Sequence, residues 1–469
     1  MKSFEFLHKQ ILRDLHTEMN QPVFKQILDA IQPHCESIVT YFYRELLNNT
    51  AAIKFLNHDA VKSQLRVALA EWLHNSFVYK PSSEEQEKYY QQQIRIGAIH
   101  ARIDLPMALV NYGMSIIKTR VLQTLKNSNL TRDELADAAT LVTQIIDWSL
   151  MIIDQSCEYE IIINEKNAQS LKTNISAQNL AFDYERLCTS LSEWMRNLLL
   201  LIAQNKYEAG VQSTIRHSNF GLWISHKAHL FLAGRPELTI LVTLVDNIDD
   251  EMRQLVICMR QQNLSGIEET LISLNGYISK SIIVLGSIAK DMIDEDNGRD
   301  SLTHLFNCHY LETIMRHETK YSLEHGILFG VLIIDVDFFS RINDIFGREN
   351  GDKILGQLAS ILTQQVRAGD FVFRIGGEEF LIILADVNPQ IIQRVSEKIR
   401  FKIQNHCFEL TDTLQSSAVT VSIGTSIHDR HPDFNRTIVL AEKALCAAKK
   451  NGRNQVISSI QKPFTYAVL

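Results

Sequence analysis

Along the first 155 or so residues apolar positions recur every three or four, Pro and Gly are sparse, and the pattern predicts helix almost throughout. The rhythm fades at 158–175, EYEIIINEKNAQSLKTNI, a polar stretch that reads as a helical or loose connector. It returns from 176 to about 290, broken by one loop near AGRPEL. DEDNGRD, at 294–300, is charged and contains Gly, as domain boundaries do. Beyond it short β-rich runs alternate with amphipathic helices, the texture of an α/β domain.

Within that last region FGVLIIDVDFF (329–339) is a continuous apolar run ending in Asp335 and Asp337. Such a run suits a strand covered on both faces, and carboxylates at the end of a central strand sit where open α/β sheets bind ligands. GDKILGQLASILTQQV predicts a helix with Ile354, Leu358, Ile361 and Leu362 on one face and Gly369 suited to its end. FVFRI and EEFLIIL are strand-like and separated by Gly376 and Gly377, which predicts a tight two-residue hairpin. Its tip carries Glu378 and Glu379, which alternation turns to opposite faces. One of them can join Asp335 around a divalent cation, and an all-oxygen, cysteine-free set favours Mg²⁺ or Mn²⁺ over zinc. The missing Cβ atoms let a large ligand lie against the backbone. GGEE taken alone fits a plain hairpin with solvated glutamates equally well.

Composition narrows the class. A chain of 469 residues is long enough for two to four domains, and 45% hydrophobic with 22% charged residues is ordinary for globular ones. A net charge of −7 argues against a nucleic-acid footprint over the whole chain. No uncharged apolar run long enough for a membrane span is present, and MKSFEFLHKQ has no secretory core, so no span and no signal peptide are expected. Seven scattered cysteines, none in CxxC, suit a reducing cytoplasm and mostly buried thiols.

The C-terminal pattern resembles the GGDEF-domain diguanylate cyclases over about 160 residues: DSLT at 300–303, IIDVDFF, Asn343, GD at 351–352, FRIGGEEF, VTVSIGTS and AEKALCAAKKNGRNQV follow in order. The resemblance implies a ferredoxin-like, palm-type fold over 297–462 and the joining of two GTP into cyclic di-GMP with release of two pyrophosphates. It implies that Asp335 and Glu379, helped by the Val336 carbonyl, hold two Mg²⁺ ions, and that Glu379 also assists deprotonation of the 3′-hydroxyl. Glu378 joins these two as a catalytic carboxylate. Asn343 and Asp352 are expected at the guanine edge. Phe338, Phe339, Gly376 and Gly377 are expected near sugar or triphosphate, and Lys449 and Arg453 on phosphate oxygens; a basic helix end favoured by the dipole is the plainer reading of that pair. Arg367 and Asp370 form an RxxD at the spacing of the family's product-inhibition site, although an Arg–Asp pair at a helix end is usually a surface ion pair. The sequence departs from the family at Ser340, where a Lys is usual, and at His304, Cys308 and His309 in the opening motif.

In the N-terminal region, SSEEQEKYYQQQIRIGAIHARIDLP predicts a helix capped at Ser83 and stopped by Asp104-Leu-Pro106, with Ile96, His100 and Ile103 on one face. A lone inward His is more often a core residue than a ligand. The wider run from TYFYRELL to GAIHARIDLP resembles the sensor globin of globin-coupled sensors over roughly 20–155. That resemblance implies an all-α haem-b domain at 1–155, with His100 as proximal ligand and Tyr43 and Leu65 in the distal pocket. Phe55 and Trp72 are candidate pocket-wall residues, Trp72 more simply core. Leu135, Ala138, Val142, Ile145, Ser149 and Ile152 at a/d spacing fit either globin core or a dimer seam.

Residues 176–292 are expected to form an all-α transmitter, and His217, His226 and His229 within it read as solvated or core histidines rather than a metal site. The whole is expected to be a multidomain, cytoplasmic oxygen sensor that makes cyclic di-GMP. Its expected partners are GTP, O₂ or another diatomic gas, cyclic di-GMP as product and feedback inhibitor, and a second copy in a homodimer or larger assembly. The competing readings are a catalytically weak cyclic di-GMP-binding protein and a haem sensor that acts by contact with a partner.

Overall fold

The computed structural model describes residues 2–56, 59–173, 177–204, 214–291, 300–410 and 419–459. Most of the expected boundary at 294–300 lies outside the described residues.

The first compact unit runs through Asn164. Its helices are α1 (Lys2–Leu15), α2 (Gln21–Ile31), α3 (Cys35–Leu47), α4 (Thr50–Leu56), α5 (Asp59–Ser76), α6 (Ser83–Arg102), α7 (Met107–Lys126) and the long α8 (Arg132–Thr173). α6 shows how the sequence sets an element. Ser82, not Ser83, is the N-cap, and it shares a reciprocal capping box with Glu85, a motif that contributes about 1 kcal/mol. The helix ends at Arg102, and Asp104 then turns left-handed at φ 51° ahead of Pro106. Ala138, Val142, Ile145, Ser149 and Ile152 of α8 are all buried inside this unit, so the a/d stripe is core and not an open seam. Trp72 is buried too, its indole donating to Gln93 at 2.9 Å.

The second unit holds Glu165–Arg430 and Phe434–Ile460. The expected connector at 158–175 is therefore helical through Thr173, and the unit division falls inside α8. The expected transmitter and catalytic segments form one compact unit rather than two. Its helices are α9 (Ala177–Ala203), a short helical segment at 219–231 with a π-type turn, α10 (Pro236–Arg260) and α11 (Leu264–Asp291). They are followed by β1 (Phe306–Asn307), α12 (Leu311–His325), β2 (Gly330–Val336), α13 (Phe339–Phe346), α14 (Arg348–Gln365), β3 (Phe371–Arg374), β4 (Glu379–Leu384), α15 (Pro389–Gln404), β5 (Val421–Ile427), α16 (Asn435–Lys450) and β6 (Val456–Ser458). The sheet order is β1-β3-β4-β2-β5-β6, and β2 is antiparallel to both neighbours. The central β3-β4-β2-β5 order, with α13 and α14 crossing from β2 to β3 and α15 from β4 to β5, is the ferredoxin-like palm.

β2 is buried at every position, as its apolar run requires. Leu332, Ile334 and Val336 join one core with α14 and α15. Val331 and Ile333 join the other, which α12, α16 and the helices before residue 291 share. The middle helices thus supply part of the sheet's second cover, and this explains why an antiparallel strand lacks a polar face.

Three expectations are corrected. The β3–β4 connection is the four residues 375–378, not two, and α14 stops at Gln365, leaving Gly369 in a separate turn. Among the seven free cysteines only Cys157 is buried, while Cys308, Cys407 and Cys446 are exposed. By length and composition alone, α8 and α11 contain stretches apolar enough to cross a membrane, with half and about a quarter of those stretches buried in the protein (50% and 28%).

Candidate functional site

The antiparallel register sets Asp335 of β2 directly opposite Glu379 of β4. Both sit on the face that α16 covers. α16 can come close because β5 has Gly424, where a Cβ would lie 2.2 Å from the Ala441 carbonyl oxygen and the Leu445 nitrogen. This approach brings Lys449 over the strand end, its Nζ 2.6 Å from Asp335 Oδ2. Asp335 is 4% exposed. Burial raises its pKa, Lys449 opposes that, and Glu379 and Asp337 add to it. Glu378 is raised by burial and by Asp335, and Glu442 on α16 by burial and by Glu379. Several carboxylates therefore crowd one spot, with a lysine ammonium standing where a cation is wanted.

That stand-in cation and the oxygen-only chemistry fit Mg²⁺ held by Asp335, Glu379 and the Val336 carbonyl. Among the described residues no three His, Cys, Asp or Glu side chains converge as a preformed metal cluster. The pair therefore needs backbone, water or substrate oxygens to complete a shell, as Mg²⁺ sites commonly do.

The loop that carries the glutamates is clamped from behind. Arg374 donates to both carboxylate oxygens of Asp300 (2.9 and 3.0 Å) and to the Gly377 carbonyl (2.8 Å). Asp300 also accepts from Thr303 N and Oγ1, which gives DSLT a role in holding the turn. A Cβ on Gly376 would lie 2.9 Å from Glu379 Oε2, so that glycine leaves the carboxylate its space.

Asp337 serves differently from Asp335. It accepts from Thr420 Oγ1 (2.7 Å), Ser422 Oγ (2.6 Å) and Asn454 N (3.0 Å), and so pins β2 to β5 and to the loop bearing Arg453. The Arg453 guanidinium lies 4.4 Å from the Phe338 ring centroid, and both residues have left-handed backbones. Phe338 is exposed, whereas Phe339 is buried as a core residue at the start of α13. Asn343 has a buried side-chain oxygen with no partner, and the Gly351 backbone lies beside it. An orphan acceptor costs about 1–3 kcal/mol unless a ligand donor satisfies it. Asp352 is exposed on the following helix, and Ser340 is exposed on α13.

The RxxD residues are arranged otherwise than the sequence suggests. Asp370 is 3% exposed, and its carboxylate accepts from the backbone N–H of Arg367 (2.6 Å) and of Ala385 (3.0 Å). It is spent inside its own domain, while Arg367 stays half-buried.

In the first unit His100 is near the end of α6, with a buried Nδ1 that has no hydrogen-bond partner. Burial pulls its pKa down to about 4, so the imidazole is neutral at pH 7. A half-buried neutral imidazole with an unused nitrogen suits an axial haem ligand. Tyr43 on α3 is 5% exposed in a separate small cluster with Val39, Leu46, Ala52 and Leu56, and burial raises its pKa, keeping the hydroxyl protonated. Leu65 on α5 is 37% exposed, so part of its apolar surface is left outside the protein's own core. Phe55 is half-buried.

Sequence reasoning missed Arg374, Glu442 and Gly424 as site-builders, and it named Asp337 without its bracing role. Of the three missed, only Gly424 left a signal, a glycine inside a strand pattern.

Comparisons with known proteins agree with this geometry. Residues 297–455 match the model of the diguanylate cyclase GGDEF domain, and residues 14–158 match that of protoglobin. The chain is similar to diguanylate cyclase DosC of Escherichia coli strain K12, with 26% identity over 440 residues, 94% of this chain and 95% of that protein. It is similar to DosC of Shigella boydii serotype 4, 27% over 424 residues, 90% of this chain and 91% of that protein. It is also similar to the response regulator PleD of Caulobacter vibrioides, 35% over 159 residues, 34% of this chain and 35% of that protein.

Proposed function

Since the chain belongs to the globin-coupled sensor diguanylate cyclases, we propose that it makes cyclic di-GMP under the control of a gas bound in its N-terminal domain, and that the residues described above carry out both tasks. Two GTP molecules are consumed. Each 3′-oxygen forms a bond to the α-phosphorus of the other nucleotide, and each α–β bridging bond breaks to release pyrophosphate. Asp335, Glu379 and the Val336 carbonyl would hold Mg²⁺, which would supply charge neutralisation at the phosphates.

Glu379 takes the proton of the 3′-hydroxyl, and Glu378 adds to the negative field that holds the cations. Lys449, which pairs with Asp335 in this structure, would bind a phosphate oxygen once that carboxylate held a metal, with Arg453 beside it. Asn343 turns its unpaired oxygen to a guanine N–H, and Asp352 flanks it. One chain presents one such set, and the reaction needs two nucleotides face to face, so the working form is a homodimer. Free cysteines and a GTP substrate support a cytoplasmic location.

In the first unit His100 is the residue that would hold haem, which supplies the iron for a diatomic ligand. The Tyr43 hydroxyl, kept protonated, donates a hydrogen bond on the distal side, and Leu65 limits water access. The regulation follows if ligand and no-ligand states differ in how the two GTP sites meet.

The observation that carries this reading is the Asp335–Glu379 register with a lysine ammonium on Asp335. The test is cyclic di-GMP formation by the ferrous protein with GTP and Mg²⁺, under nitrogen and under oxygen. Different rates under the two gases support enzyme and sensor together. Equal rates remove the sensor, and no product under either gas removes the enzyme.

A further inference from the structure

The turn 366–370 is covered by the protein itself. Ala368, Gly369 and Asp370 are all buried. A Cβ on Gly369 would lie 2.8 Å from Leu222 Cβ and 3.0 Å from the Leu222 carbonyl oxygen. The short helical segment at 219–231 therefore sits backbone to backbone on the turn.

Three further contacts surround this seat. Arg186 of α9 donates to the Val366 carbonyl at 2.7 Å. Lys227 lies over the Phe371 ring, 5.4 Å from its centroid. His226, 2% exposed, meets Glu318 of α12, 1% exposed, at 2.8 Å. The segment itself is held by apolar packing, the Lys227–Phe371 contact and a buried ion pair, while Arg186 ties α9 to the same turn. No cyclase step uses any of these residues.

We propose that the 219–231 segment is a plug on the 367–370 turn, so that docking of the segment and binding of cyclic di-GMP at Arg367 exclude each other. This rests on reading Arg367 as the product contact. A dinucleotide approaching Arg367 meets Leu222 over Gly369, two residues on, and finds Asp370 covered at 3% exposure with each carboxylate oxygen already accepting one backbone N–H, from Arg367 and Ala385. Feedback by product then acts only on chains whose plug has lifted. Product in turn holds the plug off, because a ligand that binds one of two states shifts the balance toward it.

The full-length protein tests this with two variants that attack the seat from opposite sides. Leu222→Glu puts a charge into the packed face. Gly369→Ala adds one Cβ where Leu222 lies, at a backbone conformation that alanine accepts. Cyclic di-GMP binding is measured by calorimetry, and hydrogen exchange is followed over 219–231 and 366–370. The expected result is binding at least tenfold tighter in both variants than in the unsubstituted protein, within the usual range of such couplings. Arg367→Ala placed on either variant abolishes it, and saturating cyclic di-GMP speeds exchange in 219–231 of the unsubstituted protein. Should Leu222→Glu disturb the helices, Gly369→Ala and the exchange measurement stand without it. Unchanged affinity in both variants, with Arg367→Ala still abolishing binding, overturns the plug but keeps the product site. Binding indifferent to Arg367→Ala, or absent throughout, overturns the product-site reading and the plug with it.

Discussion

Two ion pairs in the second unit look alike on paper and differ in purpose. Lys449 meets Asp335 at 2.6 Å, and His226 meets Glu318 at 2.8 Å. The lysine side chain is 33% exposed and ends a helix, so it can leave its partner for a phosphate. The histidine and the glutamate are 2% and 1% exposed, and neither has anywhere to go. A buried pair that cannot separate fixes an arrangement, whereas a pair with one mobile member reserves a site. The contrast separates the chemistry of the unit from its assembly.

The largest test strikes the reserved pair. If Asp335 and Glu379 hold metal as proposed, Asp335→Asn or Glu379→Gln removes several kcal/mol of transition-state stabilisation, so product formation falls roughly a thousand-fold or more. Thermal unfolding should move little, because that carboxylate cluster is self-repelling without metal. A large loss of stability with activity retained would reverse the assignment.

Glu318→Ala strikes the fixed pair. It leaves His226 buried without its partner and costs about 3–5 kcal/mol in denaturant unfolding. His226→Leu combined with Glu318→Met should recover most of that loss, since well-packed apolar replacements of buried pairs are often neutral. Lys449→Met should do the opposite: stability within about 1 kcal/mol, as for a partly exposed pair, but turnover down about a hundred-fold.

The pH dependence separates the pairs further. Burial alone lowers the pKa of His226, but Glu318, with Asp370 and Asp386 beyond it, outweighs burial and raises it. For Glu318 burial raises the pKa, but His226 and His317 bring it below the ordinary value. Lys227 and His229 on the same segment, and His325 on α12, complete the charged neighbours. The pair's contribution is present in full from the free-glutamate value of 4.5 to the free-histidine value of 6.5. It fades as pH rises through the raised value of His226, and as pH falls through the lowered value of Glu318. The unfolding midpoint of the second unit should therefore drop as pH rises above neutrality, and Glu318→Gln should flatten that drop. The smallest effect is expected from Ser340→Lys, an exposed position near the phosphates, where restoring the family's cation should raise kcat several-fold, about 1 kcal/mol in the barrier.

Much of the catalytic domain was legible because its signals are local. An apolar run ending in carboxylates, a glycine-bracketed hairpin and a basic helix end each declare themselves within about ten residues, and the antiparallel register then brings them together. The glutamate loop was read two residues too short because the hairpin rule counts glycines, whereas Arg374 and Asp300 fix the real turn through a tertiary clamp. Asp370 was grouped with Arg367 by spacing alone, which says nothing of where a carboxylate points; two backbone N–H groups hold it in this structure. His226 is a core histidine, one of the two readings given it, but its partner lies 92 residues away and no periodicity could supply it. The polar connector was left open between helical and loose, because propensity is a weak prior where tertiary packing decides; it is helical through Thr173.

The shared second core has a consequence for inheritance. Phe231 lies 6.1 Å from Phe306, and Lys227 covers Phe371, so part of the sheet's apolar surface is finished by residues encoded well upstream of it. A gene fusion cut just before DSLT at 300–303 would pass on the chemistry but leave that surface wet and prone to self-association. A cut near residue 165, at the edge of the compact unit, would carry the cover along. The exchangeable piece of this protein, the length that recombination can move without penalty, is therefore longer than the stretch that holds its catalytic motifs.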